Sequence, residues 1–358
     1  FMKVIEGSGA LDALSSLIIE KFHRFPAVLL VLIMLIIMFP GMITGSSTAA
    51  VLSAGSIMAP VLALMGIDAV TSGSIIAMGA LLGMIAPPVN TAALIICAGI
   101  DVPYVGFEGP LALITFPLAI LFVLLLGYKQ ARHMDYEKLK PALEKQDAIR
   151  KQYGVRIYIP LLVLVALMVI FKVLKLGEDI GMPLMFLISA AVGLFTGKKI
   201  NVLTAVPEAI RTAAPVMGIL MGVGMFIEVM TATGVRGLVV ISCLRLPSTL
   251  WLLACAISIP LFGAVSSYGA CSVLGVPFAY IYASLLGGNS VVVLAAISLI
   301  AAVGDMMPPT ALAGLFAAQV TGVEKYTEIL KRCIVPIIIL LVYACFFLAN
   351  SKLIAGLF

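Results

Sequence analysis

Asp305 carries the most demanding chemistry in this chain: a carboxylate three positions ahead of the pair Pro308-Pro309, inside an otherwise apolar stretch. Such a group is costly in hydrocarbon unless it pairs, takes up a proton or binds a cation. The stretch has a near copy about 221 residues earlier, where Gly83-Met84-Ile85-Ala86-Pro87-Pro88-Val89 aligns with Gly304-Asp305-Met306-Met307-Pro308-Pro309-Thr310. Each proline removes a backbone donor and frees the carbonyl a turn earlier, so each pair ends one half-helix and starts another. Bare carbonyls suit Na⁺, and bare N–H groups at positive helix ends suit carboxylates.

Hydroxyl and amide side chains gather at the same places: Ser46, Ser47, Thr48, Asn90 and Thr91 in the first half, Ser266, Ser267 and Thr310 in the second. Singly, a Ser or Thr in an apolar helix can simply bond its own backbone. Clustered at backbone breaks, these eight are the candidate substrate-binding set. The expectation is one cation site where each hairpin tip meets its own broken helix, with substrate between the two tips. The competing readings are that each proline pair merely kinks a helix and that Asp305 sits at an aqueous mouth or is tied to a neighbouring N–H. Glu228, near one end of a helix, ranks below Asp305. No Lys or Arg falls inside a broken segment. An anionic substrate would therefore be met by helix ends, hydroxyls, bound cations or a partner protein.

The elements that hold these residues are membrane helices. The chain has 358 residues, 63% hydrophobic and only 11% charged, with long apolar runs over 27–39, 111–126 and 157–171. No water-soluble domain hides that much apolar surface, and the run lengths fit helices rather than the alternation of a barrel. The fold class is thus an all-α polytopic membrane protein. A helix from Pro26 is expected to stop at Phe39-Pro40-Gly41, turn through 42–48 and return to Met65. A second such pair runs from about 249 to 286, with its tip at 263–269. Arms of about 14 to 18 residues fall short of the roughly 20 needed to span a bilayer, so both pairs read as re-entrant hairpins.

Broken helices follow at about 69–100 and 291–320. Gly41 and Gly263 are 222 positions apart, close to the offset of the proline pairs. Five crossings are expected between the hairpins, at 69–100, 109–127, 157–175, 181–197 and 215–232. An odd number makes the repeats inverted. The division is a first repeat over 1–127, a basic cytoplasmic segment over 128–156 and a second repeat over 157–358. Lys129 to Arg156 holds eight Lys or Arg against four acids, whereas the loops 101–109 and 177–181 hold no Lys or Arg, which places the basic side in the cytoplasm. The alternation of acids and bases over 136–153 reads as a solvated helix.

The opening residues 1–9 run in register with 226–234, about 225 positions later. In the second half that stretch ends a helix expected to begin near Pro215, so residues before Phe1 are expected. Six cysteines lie mostly in or beside apolar segments without a CxxC pair, and the two histidines, His23 and His133, sit in polar stretches. Neither pattern points to a metal or redox centre. Paired acids, a His cluster and an activated nucleophile with catalytic spacing are absent from the sequence, as is a P-loop, so neither an enzyme nor an ATP-driven pump is expected.

Pro40-Gly-Met-Ile-Thr-Gly-Ser-Ser-Thr-Ala-Ala, then 55–60, then Ala86-Pro-Pro88, then 308–317, resemble the large membrane subunit of the tripartite ATP-independent periplasmic (TRAP) transporters, in the ion transporter superfamily. The resemblance spans nearly the whole chain. It implies one sodium site from Gly41, Thr44, Gly45, Ser46, Ala86, Pro87 and Asn90, and another from Gly263, Ser266, Ser267, Asp305, Met307 and Pro308. It further implies elevator-type motion against a scaffold, and import of carboxylate-bearing solutes such as dicarboxylates across a bacterial or archaeal inner membrane. The partners would be a periplasmic substrate-binding protein and a small membrane subunit, with coupling ions, Na⁺ or H⁺, and no cofactor. A stand-alone symporter of the same superfamily and a channel are the alternatives. Two departures stand out: the family's Thr-Pro-Thr-Glu stretch is absent near 177–185, and Gly-Asp305-Met-Met replaces a usually neutral run.

Overall fold

The computed structural model describes residues 1–132, 150–173, 182–247 and 250–358. The acid–base alternation over 136–153 therefore lies mostly outside the described residues, and the loop at 177–181 lies wholly outside them. Among the described residues the chain is helical throughout, without strands, and six helices are long and apolar enough to cross a membrane.

A short helix Met2–Ser8 leads through Gly9, which takes φ 80, into the arm Ala10–Phe22. The second half repeats this joint: Val202–Ala232 leads past Gly234, at φ 75, into Val235–Leu244. Only glycine takes that left-handed conformation without a Cβ penalty. The long helix begins at Val202, well before the expected start near Pro215, because Asn201 caps it by accepting from the Leu203 N–H at 3.0 Å.

The first hairpin comprises Pro26–Thr44 and Ser47–Leu64, and the second Trp251–Gly263 and Ser267–Leu285. These arms correct the expected lengths, since three of the four run to 18 or 19 residues. The first helix does not stop at Pro40. Thr44 Oγ1 donates to the Pro40 carbonyl at 2.7 Å and the Gly45 N–H to the Gly41 carbonyl at 2.7 Å, which carry the helix to a left-handed stop at Gly45. Both return arms contain a wide π turn at the same place, Val51–Gly55 and Cys271–Gly275.

The broken helices form the centre. The first comprises Ala69–Ile85 and Thr91–Gly99; the second comprises Ser290–Ala302, a tight turn over Val303–Met306, and Leu312–Thr321. Every residue from Thr71 to Ile85 and from Val292 to Met306 is buried. A helix apolar all round can only sit inside other helices, and these two have no polar face to offer water. Their N-terminal caps match across the repeat. Asp68 accepts from the Thr71 N–H at 2.9 Å and Asn289 from the Val292 N–H at 3.1 Å, each contributing about 1 kcal/mol.

The helices Glu108–Ala131, Ile159–Val173, Met182–Thr196 and Tyr326–Ala349 complete the bundle. Of the cysteines, Cys97, Cys255, Cys271 and Cys333 are buried and unbridged.

Candidate functional site

Each hairpin tip lies on the break of its own half through the same two contacts. Gly41 packs on the backbone of Gly83, and Gly263 on that of Gly304; a Cβ on Gly41 would stand 2.8 Å from the Gly83 carbonyl carbon, and one on Gly263 2.9 Å from the Gly304 Cα. A backbone bond then crosses each joint: the Val89 N–H donates to the Met42 carbonyl at 3.1 Å, and the Thr310 N–H to the Ala264 carbonyl at 3.3 Å. Both joints need glycine on both sides. Both proline pairs are cis.

The tips themselves are capped turns. Ser46 Oγ accepts from the Ala49 N–H at 3.3 Å and Ser266 Oγ from the Gly269 N–H at 3.1 Å, so these two hydroxyls start the return arms. Thr44 is likewise turned to backbone, accepting from the Ser46 N–H at 3.3 Å as well as donating to Pro40. Thr310 Oγ1 donates to the Ala264 carbonyl at 2.8 Å. Thr48 is half-buried beside Ser47.

Asn90 is more committed than its place in both the sodium and substrate sets suggests. Its Oδ1 accepts from the Ala93 N–H at 2.9 Å, capping the second half-helix, while its Nδ2 donates to Ser298 Oγ at 2.8 Å on the other broken helix. The first break is also less bare than its prolines alone predict. Tyr104 Oη donates to the Pro88 carbonyl at 3.1 Å and accepts from the Asn90 N–H at 3.2 Å. Ala86, Pro87 and Pro88 are buried, whereas Pro308 and Pro309 are exposed and Met307 is half-buried.

Asp305 stands between the two tips. Ser47 Oγ of the first hairpin donates to its Oδ2, and Ser267 of the second hairpin lies beside the same carboxyl. The sequence reading paired Asp305 with the second tip alone; here the first tip bonds it through Ser47. At 5% exposure it has little access to water. A carboxylate so shielded, with a hydroxyl bonded to it, is suited to a desolvated cation. Thr91, 5% exposed, packs under Gly45 so tightly that only a glycine fits above its hydroxyl. Glu228 is exposed on the long helix Val202–Ala232.

Two residues at this centre were not foreseen. Tyr268 follows Ser267 and reaches across to the first tip, donating to the Gly45 carbonyl at 2.7 Å. Its position, where the first half has Thr48, is the only signal the sequence offers. Ser298, the partner of Asn90, sits amid apolar helix and offers none. Among the described residues no three His, Cys, Asp or Glu side chains converge, so a transition-metal centre has no donor set there.

A helical bundle with six membrane-length apolar helices among the described residues, and with two hairpin-on-break units meeting around buried Asp305, defines a polytopic membrane protein. The chain belongs to the family described as tripartite ATP-independent periplasmic transporter, DctM component, whose profile matches residues 1–351. It is accordingly a TRAP-type secondary transporter. No curated protein matches the chain.

Proposed function

We propose that this chain is the large membrane subunit of a TRAP-like system that imports a small organic anion, coupled to inward movement of a cation such as Na⁺. The observation that carries the reading is buried Asp305 of the second break, bonded by Ser47 of the first hairpin with Ser267 of the second beside it. A carboxylate without a basic partner among its bonded neighbours invites a cation, and its place between both hairpins gives that cation a means of holding the tips closed.

On this reading the first cation site draws on the carbonyls at Gly41 to Ser46 and the break at Ala86 and Pro87, with Asn90 fixing the shape rather than lending its side chain. The second draws on Gly263, Ser266, Ser267, Asp305 and the break at Met307 and Pro308. The substrate contacts Ser46, Ser47, Thr48, Thr91, Ser266, Ser267 and Thr310 between the tips. The hairpins are re-entrant, the two halves are inverted, and the tip-and-break unit moves as an elevator against the outer helices. A small membrane subunit and a periplasmic binding protein complete the system in an inner membrane.

Uptake of candidate dicarboxylates and sialic acids into proteoliposomes tests this, with Na⁺ or H⁺ gradients imposed separately and candidate binding proteins added or withheld. Saturable uptake that requires a gradient and a binding protein is expected. A linear, unsaturable flux without either gradient would remove the secondary-transport reading, and gradient-driven uptake without a binding protein would make the chain a stand-alone symporter.

A further inference from the structure

The two halves do more than repeat: the first turn of each return arm reaches into the other half. Ser47 of the first arm donates to Asp305 beside the second break. Tyr268 of the second arm donates to the Gly45 carbonyl at 2.7 Å, and its hydroxyl lies 3.9 Å from Met84 Sδ beside the first break. Met84 and Asp305 are equivalent positions of the repeat, so the two reaches are reciprocal. Thr91 lies beside the Tyr268 hydroxyl, and Tyr268 and Thr91 are 8% and 5% exposed. Water is therefore a poor substitute for the bond to Gly45.

The Gly45 carbonyl belongs to the tip assigned above to the first cation site, and Ser267, next to Tyr268, lies beside the Asp305 assigned to the second. We propose that Tyr268 is a positioning residue that couples the two cation sites, by fixing the Gly45 carbonyl of one while its neighbour Ser267 lies beside the carboxylate of the other. The inference rests on the cation-coupled reading. A cation that draws on the Gly45 carbonyl reorients it, Tyr268 follows, and the first turn of the second return arm is set for Asp305. The same link runs in reverse through Ser47, as reciprocity of coupled binding requires.

The test is a Na⁺ titration of the full chain in detergent at constant ionic strength, with choline as the replaced cation. The readouts are thermal stabilisation and the fluorescence of Trp251, the single tryptophan, which opens the second hairpin. The original chain should respond sigmoidally with a Hill coefficient near the number of sites, about 2, and Tyr268→Phe should fall to about 1 with its half-saturating Na⁺ raised about fivefold or more. Thr91→Val, which removes the hydroxyl beside Tyr268, should shift the curve the same way by less. A merely structural role would lower the melting temperature of Tyr268→Phe while leaving its titration superimposable on the original, and that result overturns the proposal. Equal responses of the original chain to Na⁺ and choline would overturn the cation-coupled reading itself, and this inference with it.

Discussion

Gly41 and Gly83 touch backbone to backbone, at a distance where a methyl group on Gly41 would stand 2.8 Å from the Gly83 carbonyl carbon. Gly263 and Gly304 repeat the contact in the second half. The obstacle is main chain on both sides, which cannot swing away as a side-chain end does, so each joint adds a steric seat to the backbone bond that crosses it.

Gly41→Ala and Gly304→Ala should each therefore lower stability by about 2–3 kcal/mol, as an overpacked core does. Gly218→Ala is the control: it lies in the long helix with open space around it and should be neutral or gain up to about 1 kcal/mol from helix propensity. Thermal melts of the three variants in one detergent decide the matter. Equal melting temperatures would show that the joints do not hold the tips.

Asp305→Asn should weaken the cation dependence of transport. The amide keeps the shape and one acceptor for Ser47 but loses the charge; losing a charged ligand of the bound cation should raise half-saturating Na⁺ roughly tenfold, about 1.4 kcal/mol. Initial rates of uptake against Na⁺ concentration and against pH measure it. Unchanged dependence on both would take Asp305 out of the mechanism.

Asn90→Ala should cost about 2 kcal/mol, of which about 1 comes from the lost helix cap and about 1 from the lost bond to Ser298. Asn90→Ser should recover roughly the capping half, because serine caps well but cannot reach Ser298. Melting temperatures ordered native, Ser, Ala are expected. A Ser variant no better than Ala would mean that the cap contributes nothing.

Asp68 gives the fold an acid-side limit outside the membrane-spanning segments. Burial pushes its carboxyl up, but the bonds from the Thr71 N–H, the Gln130 amide and the Thr71 hydroxyl, with the charge of Arg332, together hold it below the ordinary value. A carboxyl depressed in the folded state adds stability that is full above its unfolded pKa, about 3.9, and is lost as pH falls through the lower folded value. Asp68→Asn should therefore lower the melting temperature most at neutral pH, where that contribution is full, and flatten its fall below about pH 4, where the two proteins converge. A parallel fall in both proteins would assign the acid limit elsewhere.

The all-α membrane class and the family were legible because both rest on local signals: apolar runs of helical length, and two proline pairs at a constant offset from two glycine-marked tips. The breaks lie where those prolines stand, because a missing N–H acts within one turn. What stayed hidden is non-local. Asn90 looks like a ligand in sequence, and only the fold brings Ser298 to it across 208 positions. Tyr268 looks like packing until Gly45 arrives from 223 positions away. Local reading also stopped the first hairpin helix too early, since Pro40 removes one bond while the Thr44 hydroxyl and the Gly45 N–H carry the turn past it.

The tips differ in length by two residues: Gly41 and the cap Ser46 are five positions apart, Gly263 and the cap Ser266 only three. The halves are thus not interchangeable parts. A chimera that replaced the longer loop with the shorter would run two residues short, and could draw Ser47 back from Asp305 by up to about 7 Å of extended chain. Where the two tips meet, a long lip faces a short one.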